Sequence, residues 1–317
     1  MRIEAASADA SFRRYFRVTL ENGDTRIVMD APPEREDCRP FLKVAALFRD
    51  AGVHLPEVHA QDLEQGFLLL SDLGDTTYLD VLDAASAPAL YRDANAALLA
   101  IQRASRPGVL PDYDRALLAR ELGLFRDWYV AGHLGVALDP RQEAALRGVF
   151  ETLLANNLAQ PRVFVHRDYH SRNLMAIGGA EARRFPANPG ILDFQDAVYG
   201  PVTYDLVSLY RDAYIAWEEE QEIDFVIRYW QAARRAGLPV DAGFDAFYRD
   251  YEWMGAQRQL KVLGVFARLY HRDGKDGYLK DMPRVMAYLR RACERYSALT
   301  PLARLLDQLF RGQKTED

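Results

Sequence analysis

The chain has 317 residues, 49% of them hydrophobic and 27% charged, with a net charge of -6. That is enough chain for one large domain or two lobes with a real core, in the composition range of soluble globular proteins. The acidic balance disfavours a nucleic-acid partner, and no apolar run approaches the ~20 residues of a membrane span.

In chain order, residues 1–73 are rich in strand signals. Arg14-Tyr-Phe-Arg-Val-Thr-Leu20 alternates polar and apolar residues, Glu21-Asn-Gly-Asp24 turns the chain, and Thr25–Met29 returns. Asn-Gly between two such runs signals a hairpin. Pro40–Ala51 puts Phe41, Val44, Ala45 and Phe48 on one helical face and stops at Gly52. Leu55–His59 and Phe67–Leu70 supply further strands. From Thr76 the apolar spacing becomes three and four. It predicts helices over Tyr78–Asp83, Ala89–Ser105, Tyr113–Ala131 and Arg141–Ala159, punctuated by Pro88, Pro107-Gly108 and Pro140.

Two apolar runs, Val163–Val165 and Leu174–Ile177, bracket the polar loop His166-Arg-Asp168-Tyr-His170-Ser-Arg-Asn173. Gly190-Ile-Leu-Asp193-Phe-Gln195 is a third apolar run that ends in an acid. A strand-loop-strand hairpin can make the three polar groups converge, with Ala182–Pro189 at the tip between Ile177 and Ile191. A carboxylate to orient an acceptor hydroxyl, with an amide and a second carboxylate to hold magnesium, is the set that phosphoryl transfer needs. Downstream, Thr203 is the expected N-cap of a helix. Met254–Arg272 reads as one long helix with Arg258, Lys261, Arg268 and Arg272 near one stripe. His166 and His170 are poorly placed for zinc, because β-branched and aromatic residues precede them and no glutamate lies between. No Gly-x-Ser-x-Gly elbow supports a hydrolase. The two cysteines, Cys38 and Cys293, have no ligand spacing, and the N-terminus has no apolar signal region, which points to a cytoplasmic protein.

His166-Arg-Asp168 with Asn173, read also as Asp168-x-His170-x-x-Asn173, and Asp193-Phe-Gln195 resemble the motifs of the kinase-like aminoglycoside phosphotransferase superfamily. The resemblance implies an α+β, bilobal, protein-kinase-like fold. Residues 1–73 would form a small β-rich nucleotide-binding N-lobe. Residues 74–317 would form a large, mainly helical C-lobe with the catalytic loop and the acceptor site. It implies Asp168 as the catalytic residue, Asn173 and Asp193 as metal ligands, and His166, His170 and Asp205 as supports behind them. Leu68–Gly74 would be the interlobe hinge, with backbone groups of Asp72 and Leu73 reading the purine.

The small lobe departs from the pattern. The loop over the phosphates, Ser7–Arg14, has no glycine. Met29 stands where a lysine is usual, and the Pro40 helix offers no glutamate partner. Ser11, Arg13 and Arg14 are the nucleotide-contact candidates on that loop. An arginine is the expected substitute for the lysine, since guanidinium binds phosphate in bidentate fashion.

Longer phrases resemble the amino-sugar anomeric kinases. They are Ala10-Ser-Phe-Arg-Arg-Tyr-Phe-Arg17, Met29-Asp-Ala-Pro-Pro33, Leu192–Asp196 with Gly200–Leu206, and Gln257–Arg268. This resemblance implies ATP- and Mg2+-dependent phosphorylation of the 1-hydroxyl of N-acetylmuramic acid and N-acetylglucosamine in cell-wall recycling. Neither a nucleic acid, a membrane nor a protein partner is expected. A basic wall suits an acidic sugar, so Arg258, Lys261 and Arg268, then Arg211, are the substrate-binding candidates. Two other readings stay open at this point. One is a kinase of another small hydroxylated metabolite or an aminoglycoside, and the other is a nucleotide-binding pseudokinase.

Overall fold

The computed structural model describes residues 1–8, 12–178 and 189–313. By packing, the chain forms two compact units. The first joins Met1–Ala104 to His166–Ala197, and the second joins Ser105–Val165 to the chain from Val198 onward.

The first unit is built on an antiparallel five-stranded sheet. Its strands are β1 (Arg2–Ala8), β2 (Arg14–Thr19), β3 (Thr25–Asp30), β4 (Val58–Asp62) and β5 (Phe67–Ser71), in the order β1-β2-β3-β5-β4. The Asn-Gly turn does join β2 to β3, with Tyr15 opposite Met29. Strand β1 has weak strand composition of its own and is recruited by pairing with β2. Strand β4 begins three residues later than Leu55. His54 just before it makes an isolated parallel bridge to Gly190. Helix α1 (Arg39–Asp50) buries Phe41, Val44, Ala45, Leu47 and Phe48, the face that the periodicity predicts. Helices α2 (Tyr78–Val81) and α3 (Ala87–Arg103) follow.

The second unit is helical. It contains α4 (Arg115–Leu124), which continues as a π-helical turn over Phe125–His133, and α5 (Pro140–Ala159). After these come α6 (Tyr204–Tyr210), α7 (Glu219–Arg235), α8 (Phe244–Asp273), α9 (Met282–Arg295) and α10 (Thr300–Gln313). Helix α8 starts ten residues before the predicted Met254 and runs through the middle of the unit. Residues Met254–Leu260 are all buried, polar ones included. Its Gly264 lets it approach α4 closely, since a Cβ there would stand 2.3 Å from the Leu124 carbonyl carbon.

The Val163–Val165 and Leu174–Ile177 runs do not pair with each other. Strand β6 (Arg162–Val165) pairs with β9 (Val198–Pro201) in the second unit. Strand β7 (Leu174–Met175) pairs with β8 (Gly190–Ile191) in the first. Residues 182–188 of the proposed hairpin tip lie outside the described residues. Thr203 precedes α6 but does not cap it. Its hydroxyl donates instead to Gln160 Oε1 at 2.7 Å, tying the helix start to the end of α5.

Candidate active site

The loop His166–Asn173 and the Asp193 turn belong to one unit, and short strands bring them together. Pairing Leu174 with Ile191 sets Asn173 beside Leu192, whose N–H donates to the Asn173 carbonyl at 2.9 Å. The Asn173 amide then points its Nδ2 at the Asp168 backbone and at the Asp193 carboxylate. It donates to the Asp168 carbonyl at 2.9 Å and to Asp193 Oδ2 at 3.3 Å. With Nδ2 so used, Oδ1 is the amide atom left to accept a cation. Gln195 Nε2 donates to the other Asp193 oxygen at 2.7 Å.

Arg167 (φ 80°) and Asp193 (φ 60°) are the two described non-glycine residues in the left-handed region. Such backbone costs about 1–3 kcal/mol and persists only where the surroundings impose it. At Asp193 the imposing contacts are visible. The Phe194 ring is buried against Phe41, with centroids 4.7 Å apart, and near Phe48, at 6.4 Å. Anchoring Phe194 on α1 turns the preceding carboxylate toward Asn173.

His166 is fully buried and joins the two loops. Its Nδ1 accepts the Asp168 N–H at 3.2 Å, which leaves Nε2 protonated and donating to the Leu192 carbonyl at 2.9 Å. Burial pushes this imidazole down to about 4, outweighing the pull of Asp168 and the Leu192 carbonyl, so it is neutral at physiological pH. Both its nitrogens are occupied, which excludes the zinc reading. Tyr169, also buried, donates its hydroxyl to the Ala94 carbonyl at 2.8 Å and fixes the loop to α3.

An apolar cluster of Leu73, Met175 and Ile177, with Leu192 against it, lies in the same unit. Gly190 makes it possible, because a Cβ there would come within 2.9 Å of both Leu73 and Ile177. Just before Leu73, Asp72 accepts two hydrogen bonds from Arg17, at 2.6 and 3.0 Å, and one from the Gly74 N–H. Burial acts against the Asp72 charge, yet Arg17 and Gly74 prevail and hold its carboxyl below the usual range.

Of the loop candidates, Ser11 lies outside the described residues. Arg13 is mostly buried and paired with Glu36, whereas Arg14 is exposed and paired with Asp30. The cations of the second unit differ in their surroundings. Arg211 is fully buried and its charge is matched by Glu222 and Glu252, so it is no spare cation for a ligand carboxylate. Lys261 donates to the Tyr204 hydroxyl and pairs with Glu121. Arg258 is buried, yet its Nε and Nη1 have no hydrogen-bond partner among the described residues. Arg268 has a buried Nε in the same state, and burial lowers its pKa. The stripe is therefore internal at Arg258 and partly buried at Lys261 and Arg268, with Arg272 exposed at its end. Asp205 is fully buried at the start of α6, and His170 lies partly buried within the loop.

A model of the phosphotransferase enzyme family matches residues 2–244, most of the chain. The chain belongs to the phosphotransferase enzyme family. Two relatives of this phosphotransferase are N-acetylmuramate/N-acetylglucosamine kinases. The one from Pseudomonas aeruginosa is 53% identical, over 97% of this chain and 88% of that protein. The one from Neisseria meningitidis is 50% identical, over 98% and 91%. A more distant namesake from Caulobacter vibrioides is 32% identical, over 91% and 87%. Among solved structures, the choline kinase LicA from Streptococcus pneumoniae superimposes with a TM-score of 0.63 at 14% identity, over 91% and 93% of the two chains. An ADP-bound aminoglycoside phosphotransferase gives 0.57 at 13%, over 91% and 93%. These similarities show the kinase-like fold, as the motifs imply.

The donor set of this phosphotransferase fits magnesium. An amide oxygen and a carboxylate are hard oxygen donors, the type that Mg2+ takes. Gln195, Tyr169 and Glu36 contact or anchor the candidate residues and their loops, and motif reading missed them. Gln195 was visible in Asp-Phe-Gln, but its bond to Asp193 depends on the turn geometry. Among the described residues no helix is long and apolar enough to cross a membrane.

Proposed function

We propose that the chain is an ATP-dependent amino-sugar kinase. It phosphorylates the anomeric 1-hydroxyl of N-acetylmuramic acid and N-acetylglucosamine and serves cell-wall recycling. The observation that carries the reading is the convergence of Asp168, Asn173 and Asp193 in a chain about half identical to kinases of those two sugars. In this mechanism the sugar O1 attacks the terminal phosphorus of ATP in line. The bond from that phosphorus to the bridging oxygen breaks, ADP leaves, and the hydroxyl proton passes to Asp168. Asn173 through Oδ1 and Asp193 through its carboxylate would hold magnesium, which when bound neutralises charge on the phosphate oxygens. The protein's own share is placement. Asn173 braces the Asp168 backbone and the Asp193 carboxylate, and neutral His166 keeps the Asp168 backbone and Leu192 together. The Leu73, Met175, Ile177 and Leu192 cluster is the proposed adenine surface. Arg258 is the proposed contact for the lactyl carboxylate of N-acetylmuramic acid, because its buried nitrogens lack partners while Lys261 and Arg211 are already engaged.

The test is phosphorus NMR of the product after incubation with Mg-ATP and each sugar. A sugar 1-phosphate from both is expected. Transfer to the 6-hydroxyl, or turnover with choline or aminoglycosides and neither sugar, would overturn the reading.

A further inference from the structure

The first unit gathers several acids where a polyanionic nucleotide would have to sit. Asp193 is braced at the turn, and Asp196 lies within reach of the same Gln195 amide, at 3.4 Å. Bringing phosphates there requires cationic charge from the protein as well as from any metal. Strand β3 does not supply it, since Met29 is wholly buried in the sheet.

The turn before α1 presents a different cation. Glu36 is fixed by its N–H donating to the Pro32 carbonyl at 2.9 Å. Its two carboxylate oxygens divide their work. Oε2 accepts the Arg13 Nη2 at 3.0 Å, and Oε1 accepts the Phe12 N–H at 3.3 Å. Arg35, one residue earlier, lays its guanidinium over the Phe12 ring at 4.7 Å. The segment that enters β2 is thus latched to this turn by side chain and backbone. Both members of the ion pair are largely withdrawn from solvent, with side-chain exposures of 11% for Arg13 and 15% for Glu36. The turn leads directly into α1, and α1 carries Phe41 and Phe48, the seats of Phe194. One rigid helix therefore connects the Arg13 anchor to the Asp193 turn. Burial opposes the Arg13 charge, but Tyr15, Glu36, Asp196 and Asp193 together outweigh it and keep the guanidinium firmly charged. Arg14 has no such setting, being exposed and directed to Asp30 on β3.

We propose that Arg13, held in place by Glu36, is the cation that receives the nucleotide phosphates in place of a β3 lysine, and that Glu36 is its positioning residue. The inference rests on the ATP-dependent reading above but not on which sugar is the acceptor. A guanidinium binds phosphate through planar, charge-assisted hydrogen bonds, a geometry that an ammonium lacks.

The experiment compares binding of Mg-ATP and of adenosine by calorimetry, without sugar, for wild type and for Arg13→Ala, Arg13→Lys, Glu36→Gln and the Arg13→Ala/Glu36→Gln double variant. Arg13→Ala should weaken Mg-ATP by roughly 10- to 100-fold, the range of one charge-assisted hydrogen bond. Adenosine, which lacks phosphates, should change less than about 2-fold. Arg13→Lys should recover part of the loss. Glu36→Gln should weaken Mg-ATP several-fold in the wild-type background and have no effect in the Arg13→Ala background, since a positioning residue acts only through its partner. Equal losses for adenosine and Mg-ATP would make Arg13 structural and overturn the proposal. Unchanged Mg-ATP binding in Arg13→Ala would overturn it as well. An undiminished Glu36→Gln effect in the double variant would remove the positioning role. Failure of the wild type itself to bind Mg-ATP would instead sink the kinase reading, so the two failures are separable.

Discussion

The proposed roles of Asp168, Asn173 and Asp193 differ, and single substitutions should separate them. Asp168→Asn keeps the shape but cannot take a proton. It should lower kcat by at least ~100-fold, the usual scale of general-base catalysis, with Mg-ATP affinity held within threefold or so. Near-normal turnover in a folded variant would remove Asp168 from the chemistry. His166 makes a stability prediction with a sign. Its folded pKa, about 4, lies below the ordinary histidine value, so the unfolded chain binds the extra proton first. The stabilisation is complete above pH ~6.5 and is lost as pH falls toward 4, on the order of 3 kcal/mol across that window. Thermal melts from pH 7 to 4 should show His166→Gln losing less than wild type, and parallel curves would contradict the assignment. The motif resemblance singled these residues out as candidates. The left-handed backbone of Arg167 and Asp193, and the Gln195 bond to Asp193, were not legible in it. They arise from strand register and from the seat of Phe194, which spacing does not encode.

At the scale of elements, periodicity found α1, α3 and α5 to within two residues but misjudged what lay inside the second unit. Tyr113–Ala131 reads as one regular helix, yet from Phe125 it widens into a π-helical turn facing α8. Charged residues are usually exposed. On α8, however, Arg258 is buried, Lys261 and Arg268 are partly buried and only Arg272 is exposed, and acids from other helices decide which are paired. Arg211 at the end of α6 bonds Glu222 of α7 at 2.6 Å and Glu252 of α8 at 2.9 Å, while Arg295 of α9 reaches Glu252 at 2.7 Å. Four helices share this network. Arg211→Met should therefore strand two buried carboxylates and cost ~3–5 kcal/mol in urea unfolding. A loss below ~1 kcal/mol would show that Arg291 and Arg295 suffice. Arg258 is the complementary case. Arg258→Ala should reduce kcat/KM for N-acetylmuramic acid by an amount equivalent to ~1.5–3 kcal/mol, and that for N-acetylglucosamine far less, because only the former has a carboxylate to lose. Matching losses would make Arg258 a packing residue.

At the scale of the whole molecule, motif order made the kinase-like architecture readable, because its signatures are local and widely spaced. The discontinuous make-up of the first unit was not readable, since it depends on the pairing of β7 with β8 and on the burial of Phe194 against α1. A fragment ending at Ala104 should accordingly melt without a cooperative transition, and a sharp transition like that of the intact chain would refute this. The same discontinuity sets a timetable for synthesis. When a ribosome has made the sheet and α3, the hydrophobic seats at Phe41 and Phe48 and the Leu73 surface still lack the segment that covers them. All of Ser105–Val165 must be made first, and at ~5–20 residues per second that is a wait of several seconds. During it the nascent sheet exposes apolar surface to other chains. The Asp193 turn, the last piece of the unit to arrive, closes that surface as it is made, so assembly of the candidate active site and protection of the growing chain are one event.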